Sequence, residues 1–383
     1  MLALKNALVY VVVFGALVVL SSVWGAGERV NMWMLINASA LPFVCLLVVV
    51  CTLLVHVAVA RAVKLDVHEV RLGAGPNLAL WRAGEVEIWL NAHPFVGVAA
   101  LSARSSRLVR ARAAIALLTG PLVILALLVA LLQVVPEPFA IRTAGGFAFA
   151  ELTLWAALLV VFTSVLPVPG SIAWQLKNIA LHGEEARADF LAARFLYPSE
   201  RARRARDYDR ALEYIEAGLR ELPNQLALEN SLALLHLDRG DNEAARAAFI
   251  KLLERSDVQP ILRGLLQNNI AWVDLMIGNP DSLAEADRYS EQALKAWPLM
   301  PVFKGTRGAV LIELGRVEDG IKLVKESLGF HAEAAPRASM HCWLAIANDR
   351  LGRIDEAKKH LETARAIDPR CKLIERADQA IRT

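Results

Sequence analysis

A single histidine inside a long apolar run is the first residue of this sequence that could take part in chemistry. His56 follows Thr52 by four residues, a spacing that places two side chains on one face of a helix. Zinc-binding helices of this kind carry histidines at both positions and a glutamate between them as the general base. Thr52 is a poor zinc ligand and Leu53 cannot accept a proton. We therefore interpret His56 as a hydrogen-bonded structural residue and predict neither catalysis nor a bound cofactor here.

Other polar residues could in principle rebuild a metal site beyond this run. The candidates are Asp66, His68, His93 and His182. The first two are two residues apart on a predicted strand and so point to the same side. Polar side chains also occur in the last apolar helix, at Glu151, Thr163 and Ser164. The plainer interpretation is that all of these are solvated or locally hydrogen-bonded side chains, with Glu151 near a membrane interface.

The composition divides the chain into a membrane half and a soluble half. Of 383 residues, 56% are hydrophobic and the mean hydropathy is +0.40, which argues against a purely soluble protein. The apolar excess lies before about residue 170, and charged residues dominate later. The net charge of +3 is small and forms no basic stripe, so we expect no nucleic-acid partner. The four cysteines form no Cys-x-x-Cys pair, which favours neither a zinc ribbon nor a disulfide framework.

Four apolar segments are long enough to cross a bilayer. They run over Ala7–Trp24, about Met34–Ala60, about Ala113–Val135 and about Phe147–Pro167. The segment 61–112 between the second and third carries eight Lys or Arg residues, whereas each of the other short loops carries one. By the positive-inside rule, this segment and both termini are cytoplasmic. Within it, short strands separated by Gly/Pro turns predict a small sheet at about 65–100.

Several landmarks of the membrane half resemble those of the site-2 protease family of intramembrane zinc peptidases. They are Ala60-Arg61, Gly73-x-Gly75-Pro76, Pro94-x-x-Gly97, Gly120-Pro121 and Val165-Leu166-Pro167-x-Pro169. The resemblance places the family's His-Glu-x-x-His over 52–56 and puts Ile172 near its third zinc ligand, an aspartate. It thus implies a family fold in which Thr52, Leu53, His56 and Ile172 are vestiges of a lost zinc site.

The chain after residue 205 repeats a helix–turn–helix phrase. Glycines recur at Gly240, Gly278, Gly315 and Gly352, and small packing residues at Ala211, Ala245, Ala286, Gly320 and Ala357. Pro223, Pro298 and Pro369 each follow their alanine by twelve residues. A small residue lets two helices approach, a glycine turns the chain and a proline stops it. The pattern resembles the tetratricopeptide repeat, and we predict four helix pairs after one initial helix.

Stacked pairs of this kind present a concave face that binds another protein. By the register of the repeat, the candidate partner-binding residues are Asn230, Leu234, Asn268 and Trp272. The plainer interpretation is that Trp272 belongs to the core and that the asparagines are ordinary surface residues.

The sequence therefore predicts a mainly α-helical protein with about four transmembrane helices, a small cytoplasmic β segment and an α-solenoid. The expected domains are an anchor (1–30), a site-2-protease-like core (31–180), a linker (181–204), broken at Tyr197-Pro198-Ser199, and the solenoid (205–383). We expect a non-catalytic scaffold of a bacterial inner membrane that recruits a protein partner through its repeats. The lipid bilayer and a transmembrane protein are further expected partners. The alternatives are an intramembrane zinc metallopeptidase with a displaced metal site and a simple membrane tether.

Overall fold

The computed structural model describes residues 32–135, 146–166, 171–328 and 334–382. Its internal contacts divide the chain into two compact units, Met1–Tyr197 and Pro198–Thr383. The predicted first membrane helix, Ala7 to Trp24, lies outside the described residues, as does the proline motif at 167–169.

Three apolar helices build the N-terminal unit: α1 (Met32–Ala62), α2 (Val109–Val134) and α3 (Phe149–Val165). They share one buried cluster, in which Val48 of α1 packs with Ile124 of α2 and Leu152 of α3. The last three predicted apolar helices are thus confirmed as helices. Two of the described helices, α1 and α2, are long and apolar enough to cross a membrane, whereas α3 has only 17 residues.

A buried asparagine of α1 closes the N-terminus of α3. The first turn of a helix leaves backbone N–H groups without partners, and Ala148 at this N-cap has no side-chain acceptor. Asn37 is fully buried, and its Oδ1 accepts a hydrogen bond of 2.9 Å from the Ala148 N–H. Its Nδ2 donates to the Gly146 carbonyl at 3.1 Å. One side chain therefore fixes the start of α3 against α1.

Between α1 and α2 the chain forms one sheet from β1 (Leu65–Ala83) and β2 (Val86–Ala103). The strands pair antiparallel around a tight turn at Gly84, but the register shifts repeatedly. Residues 69–72 oppose both 97–100 and 87–90. The predicted sheet is confirmed, although its short strands are portions of two long, irregular ones. Gly73 adopts a left-handed φ of 92° at one register break, where the sequence predicts a turn.

Two helices follow α3: α4 (Ile172–Leu181) and α5 (Gly183–Arg204). The hydroxyl of Ser171 caps α4 by accepting a hydrogen bond from the Trp174 N–H at 3.1 Å. Helix α5 continues through Pro198, so the predicted helix break there is wrong and residues 183–204 are helical. A proline removes one backbone hydrogen bond. Here the buried side chains of Leu191 and Ala202, on either side of it, supply packing that keeps the helix continuous.

The described part of the C-terminal unit after α5 is a run of helices: α6 (Tyr208–Glu221), α7 (Leu226–Arg239), α8 (Asn242–Leu253), α9 (Pro260–Ile277), α10 (Pro280–Ala296), α11 (Pro301–Glu313), α12 (Val317–Leu328), α13 (Ala334–Arg350), α14 (Ile354–Ile367) and α15 (Leu373–Arg382). Helices α7 to α14 form four consecutive pairs. Each pair turns at a glycine with positive φ: Gly240, Gly278, Gly315 and Gly352. The predicted four pairs after an initial helix are confirmed.

Small residues set the close approach within the pairs. The predicted packing alanines, Ala211, Ala245, Ala286 and Ala357, are fully buried. At Gly320 of α12, a Cβ atom would lie 2.6 Å from the Gly308 carbonyl oxygen of α11, which is closer than such atoms can approach. These two helices therefore meet backbone to backbone.

Candidate functional site

The predicted vestigial positions converge on one cavity in the N-terminal unit. Thr52, Leu53 and His56 of α1 line a space of about 50 Å³ together with Ile172 of α4. Residues 52–56 and 172 are far apart in sequence, so this convergence is a property of the fold. Strand β2 closes one side with residues 96–99, and α2 and α3 contribute the remaining walls.

Close packing of β2 on α1 shapes this cavity. A Cβ atom at Gly97 would lie 2.6 Å from Leu53 Cδ1 and 2.8 Å from Val49 Cγ1. Only a residue without a side chain lets the strand lie this near the helix at the level of residues 52–56. By contrast, a Cβ atom at Gly120 of α2 would meet its nearest neighbour, Ile172 Cδ1, at an ordinary 3.9 Å.

The polar groups of the cavity are one imidazole, several hydroxyls and an amide. The Thr52 hydroxyl donates to the carbonyls of Val48 and Val49, both at 2.9 Å, within its own helix. His56 is buried, and its Nε2 has no hydrogen-bond partner among the described residues. The described lining residues include neither a carboxylate nor a thiol. Catalytic zinc uses three protein ligands and an activated water, which this set of donors does not offer.

Three of the four candidates for a rebuilt metal site, Asp66, His68 and His182, have described side chains, and each has a different neighbour. Asp66 pairs with Arg104 at 2.7 Å. His68 Nε2 lies 2.7 Å from Ser102 Oγ, and its ring stacks on Tyr197 at 5.1 Å between centroids. His182 is exposed, with Nδ1 3.9 Å from Glu185. The side chain of His93 is not among those described. No group of three or more potential metal-ligating side chains occurs among the described residues.

The four candidate partner-binding residues occupy equivalent positions in two successive repeats. Asn230 and Asn268 each precede the glycine of their pair by ten residues, and Leu234 and Trp272 each precede it by six. Because residues four apart share a helix face, the two asparagines and the two apolar residues form matching sets on α7 and α9. We refer to these four residues as the repeat column.

The asparagines of the repeat column are not ordinary surface residues. Asn268 is only 3% exposed and Asn230 is half-buried. In each of them Oδ1 is buried without a hydrogen-bond partner among the described residues. A buried acceptor without a donor costs about 1–3 kcal/mol. Leu234 and Trp272 are half-buried and pack against the cores of their repeats, so the plainer interpretation of Trp272 as a core residue holds in part.

Sequence reasoning missed two ion pairs that join successive repeats and that each have one buried partner. Arg307 of α11 is buried, and its Nη1 donates to Asp287 Oδ1 of α10 at 2.5 Å and to Ser290 Oγ at 3.1 Å. Arg246 of α8 pairs with the fully buried Asp274 of α9. Partners separated by 20 and 28 residues leave no signal in a repeat pattern that is read from glycines and alanines. Only the unusual acidic residue inside the apolar stretch of α9 hinted at a partner.

The comparisons with known proteins agree with the helix pairs. Residues 338–371, which cover most of α13 and all of α14, match the family model described as a tetratricopeptide repeat. The chain therefore carries tetratricopeptide repeats in its C-terminal unit. A search of curated proteins found no match to this sequence.

Solved structures similar to the chain include other tetratricopeptide proteins. A thermophilic one from Thermus thermophilus, TTC0263, is 20% identical with a TM-score of 0.39, covering 50% of this chain and 100% of its own. YrrB, a tetratricopeptide protein with an unusual peptide-binding site, is 15% identical with a TM-score of 0.31. The match covers 54% of this chain and 97% of YrrB. A chain of the Cut9–Hcn1 hetero-tetramer of the APC/C is 14% identical to this chain, with a TM-score of 0.41. The match covers 55% of this chain and 38% of the other.

Proposed function

We propose that this protein is a non-catalytic, membrane-anchored adaptor that recruits a protein partner through its tetratricopeptide repeats. The observation that carries the proposal is the repeat column, in which two buried asparagine oxygens, one repeat apart, have no hydrogen-bond donor in the part of the chain that the structure describes. Tetratricopeptide repeats are interaction modules, and a partner that supplies N–H groups would remove this cost.

The chemistry of the repeat column defines the kind of partner. Once its side chain turns outward on binding, each asparagine can accept a hydrogen bond from a backbone or side-chain N–H group of a bound segment. Leu234 and Trp272 lie one helical turn further on and offer half-buried apolar surface. The matching partner is a protein segment with apolar side chains on one side and accessible N–H donors between them.

Membrane anchoring rests on the outer surface of the apolar helices. Leu122, Leu125 and Val129 of α2 are each at least 55% exposed, as are Phe43 and Leu54 of α1. Water-soluble proteins rarely expose contiguous apolar surface on this scale. Together with the basic residues between 61 and 112, this surface supports an integral protein of a bacterial inner membrane, with both termini and the repeats in the cytoplasm. Retention of the chain in alkaline-washed membranes is the expected result, and its release would contradict the anchor.

The absence of catalysis is proposed from the chemistry of the cavity. Its position at the 52–56 motif, and the approach of β2 through Gly97, support a core resembling site-2 proteases. Leu53 replaces the base, and Thr52 and Ile172 replace two ligands. Such a core would hold a transmembrane segment without cutting it. A detergent pull-down that enriched no membrane segment over a core-deleted control would count against this role.

Two measurements separate the adaptor from its alternatives. Metal analysis of the purified chain beside His56→Ala tests the metallopeptidase: about one zinc per chain that disappears in the variant would reopen catalysis. Replacing residues 1–180 with an unrelated anchor tests the tether. If partner recruitment in membranes is unchanged, the N-terminal unit serves only as an anchor.

Site-specific photo-crosslinking tests recruitment itself. A photoreactive residue is placed at Leu234 or Trp272 in native membranes, and at the exposed positions Ala247 of α8 or Lys295 of α10 as matched controls. We expect one discrete adduct from the repeat column and none from the second helices. Equal adducts from all four sites would show that the repeats bind nothing in this place.

A further inference from the structure

The segment that leads into α15 contacts parts of the solenoid that are far from it in sequence. Arg206, between α5 and α6, donates from Nη2 to Asp368 Oδ2 at 2.6 Å and from Nη1 to the Arg370 carbonyl at 3.0 Å. Lys372 Nζ donates to the Asp238 carbonyl, near the end of α7, at 2.6 Å. These partners are 134 to 164 residues apart. The segment therefore bridges the first and the last repeats.

Arg376, on α15 itself, reaches two further repeats. Its Nη2 donates to Glu313 Oε1, at the end of α11, at 2.6 Å, and its Nη1 lies 3.4 Å from the Leu275 carbonyl oxygen of α9. Its guanidinium lies 5.1 Å from the centre of the Trp343 ring of α13. We refer to residues 368–376 as the clasp. The clasp contacts the C-terminal ends of α7, α9 and α11.

The cations of the clasp lie where helices end. The last carbonyl groups of an α-helix have no partner within the helix and form the negative end of its dipole, which attracts cations. The carbonyls of Asp238 and Leu275 precede the turn glycines Gly240 and Gly278 by two and three residues. Lys372 Nζ would lie 3.3 Å from a Cβ atom at Gly240. The ends of α7 and α9 are therefore favourable sites for the cations of the clasp.

Two kinds of contact hold the clasp in place. Helix α15 packs against α13 and α14, and its side chains Leu373 and Ala377 are buried in the apolar cluster of the last repeats. The links to the earlier repeats are charged, and the side chains of Arg206 and Arg376 are 28% and 33% exposed. Partly exposed ion pairs contribute little stability and weaken in salt. The charged links can therefore release while α15 stays on its own repeat.

The clasp lies one helical turn beyond the repeat column. Asp238 follows Leu234 by four residues on α7, and Leu275 follows Trp272 by three on α9. Residues at these separations are neighbours on one side of a helix. Trp272 also packs against the same buried cluster as Leu373. A segment bound along the repeat column would thus meet the clasp at the end of these helices.

We propose that the clasp keeps the concave face of the solenoid closed to the partner, and that the partner binds after the charged links have released. This inference rests on the proposed adaptor function, because it takes the repeat column as the partner's site. When only a fraction of the chains is open, the apparent affinity for the partner falls by that fraction. The clasp therefore regulates recruitment without belonging to the repeat column.

A pair of double variants isolates the charged links. Lys372→Met, Arg376→Met removes two cations of the clasp and leaves flexible apolar side chains in their place, so α15 keeps its packing on α13 and α14. Lys358→Met, Lys359→Met, at exposed positions of α14, changes the net charge equally and is the control.

The first readout needs no partner. Spin labels on noncanonical residues at the exposed positions Glu213 of α6 and Glu362 of α14 report the distance between these helices in the full chain in detergent, by pulsed electron paramagnetic resonance. We expect a single distance in the unaltered chain and the control, and a longer and broader distribution in the clasp variant. An unchanged distribution in the folded clasp variant would overturn the proposal.

The second readout is photo-crosslinking from Leu234 in native membranes. We expect the clasp variant to raise the yield of the partner adduct about fivefold, since the links that it removes are partly exposed. The control should give the yield of the unaltered chain. A clasp variant that opens without raising the yield would contradict regulation by the clasp and leave the adaptor function standing. If no chain gives an adduct, the adaptor function and this inference both fail.

Discussion

Arg246 Nε of α8 lies 2.5 Å from Oδ1 of Asp274 on α9, and the Asp274 side chain is completely buried. The second carboxylate oxygen, Oδ2, has no hydrogen-bond partner among the described residues. Burial raises the pKa of Asp274 against the opposing influence of the arginine. Burial of the Asp274 carboxylate costs desolvation free energy, and the ion pair with Arg246 offsets that cost. The same ion pair joins two successive repeats.

Replacing one member of this ion pair should lower the free energy of unfolding more than replacing both members. Arg246→Ala leaves an uncompensated buried carboxylate, and we expect it to reduce the free energy of unfolding by about 3–5 kcal/mol. The double variant Arg246→Met, Asp274→Leu fills the same space with apolar side chains and should recover most of that loss. Denaturant unfolding and hydrogen exchange over residues 242–277 measure both. A double variant less stable than Arg246→Ala would contradict this account.

The last helix pair should lose stability in acid. Nδ1 of His341 lies 3.0 Å from Nδ1 of His360, so one ring donates and the other accepts while both are neutral. Burial, the neighbouring His360 and Arg337 lower the pKa of His341 to about 4. Burial and Lys325 also lower the pKa of His360, against the opposite influence of Glu356.

Because the folded state holds the pKa of His341 below its unfolded value of 6.5, the unfolded chain binds more protons between pH 6.5 and 4. The stabilisation is thus complete above pH 6.5 and is lost as the pH falls through about 4. For a partly buried ring we expect a loss of about 1 kcal/mol at pH 5. Hydrogen exchange of residues 334–367 against pH measures it. His341→Phe should flatten the profile and the exposed control His182→Asn should not.

Much of the solenoid could be predicted from the sequence, because its rules are local. The glycines at the turns, the buried alanines and the prolines two residues beyond helices α6, α10 and α14 act within a few residues of their own position. Interactions between distant residues could not be predicted in this way. Asn37 caps a helix more than a hundred residues away, and Arg246 pairs with Asp274, although nothing near Asn37 or Arg246 marks its partner.

The candidate sites also combine features that the sequence predicts with features that only the fold shows. The register of the repeat predicted the positions of Asn230 and Asn268, but only the packing of the described residues shows that their Oδ1 atoms are buried there without a donor. Resemblance placed Thr52 and Ile172 in one site, and the fold lines one cavity with both. The predicted break at Pro198 is wrong because burial on both sides of it outweighs a local rule.

Gly97 and Gly120 form a matched pair that tests the packing around the cavity. Gly97→Ala places a methyl group against Leu53, and we expect a loss of about 1–3 kcal/mol from overpacking. The methyl group that Gly120→Ala adds would lie 3.9 Å from its nearest neighbour, Ile172 Cδ1. Because alanine favours a helix over glycine, this substitution should be neutral or stabilising by up to about 1 kcal/mol. Thermal unfolding in detergent compares the two. Equal effects would show that β2 does not press on α1 as described.

Replacing the asparagines of the repeat column should not destabilise the solenoid. The double variant Asn230→Ala, Asn268→Ala removes two buried acceptors that have no donor among the described residues, so we expect unchanged or slightly higher stability. Residues kept at a cost in stability are typical of binding sites. A loss above about 2 kcal/mol would instead indicate that these side chains hold the fold together.

The most direct test of the central claim combines this double variant with crosslinking from Trp272 in native membranes. The adaptor account predicts a discrete adduct in the otherwise unchanged chain and at least a tenfold loss in the folded double variant, about 1.4 kcal/mol of binding. Lys251→Ala, Lys295→Ala, on exposed faces of α8 and α10, should keep the adduct. An adduct that survives in the folded double variant would contradict the claim that the repeat column binds the partner.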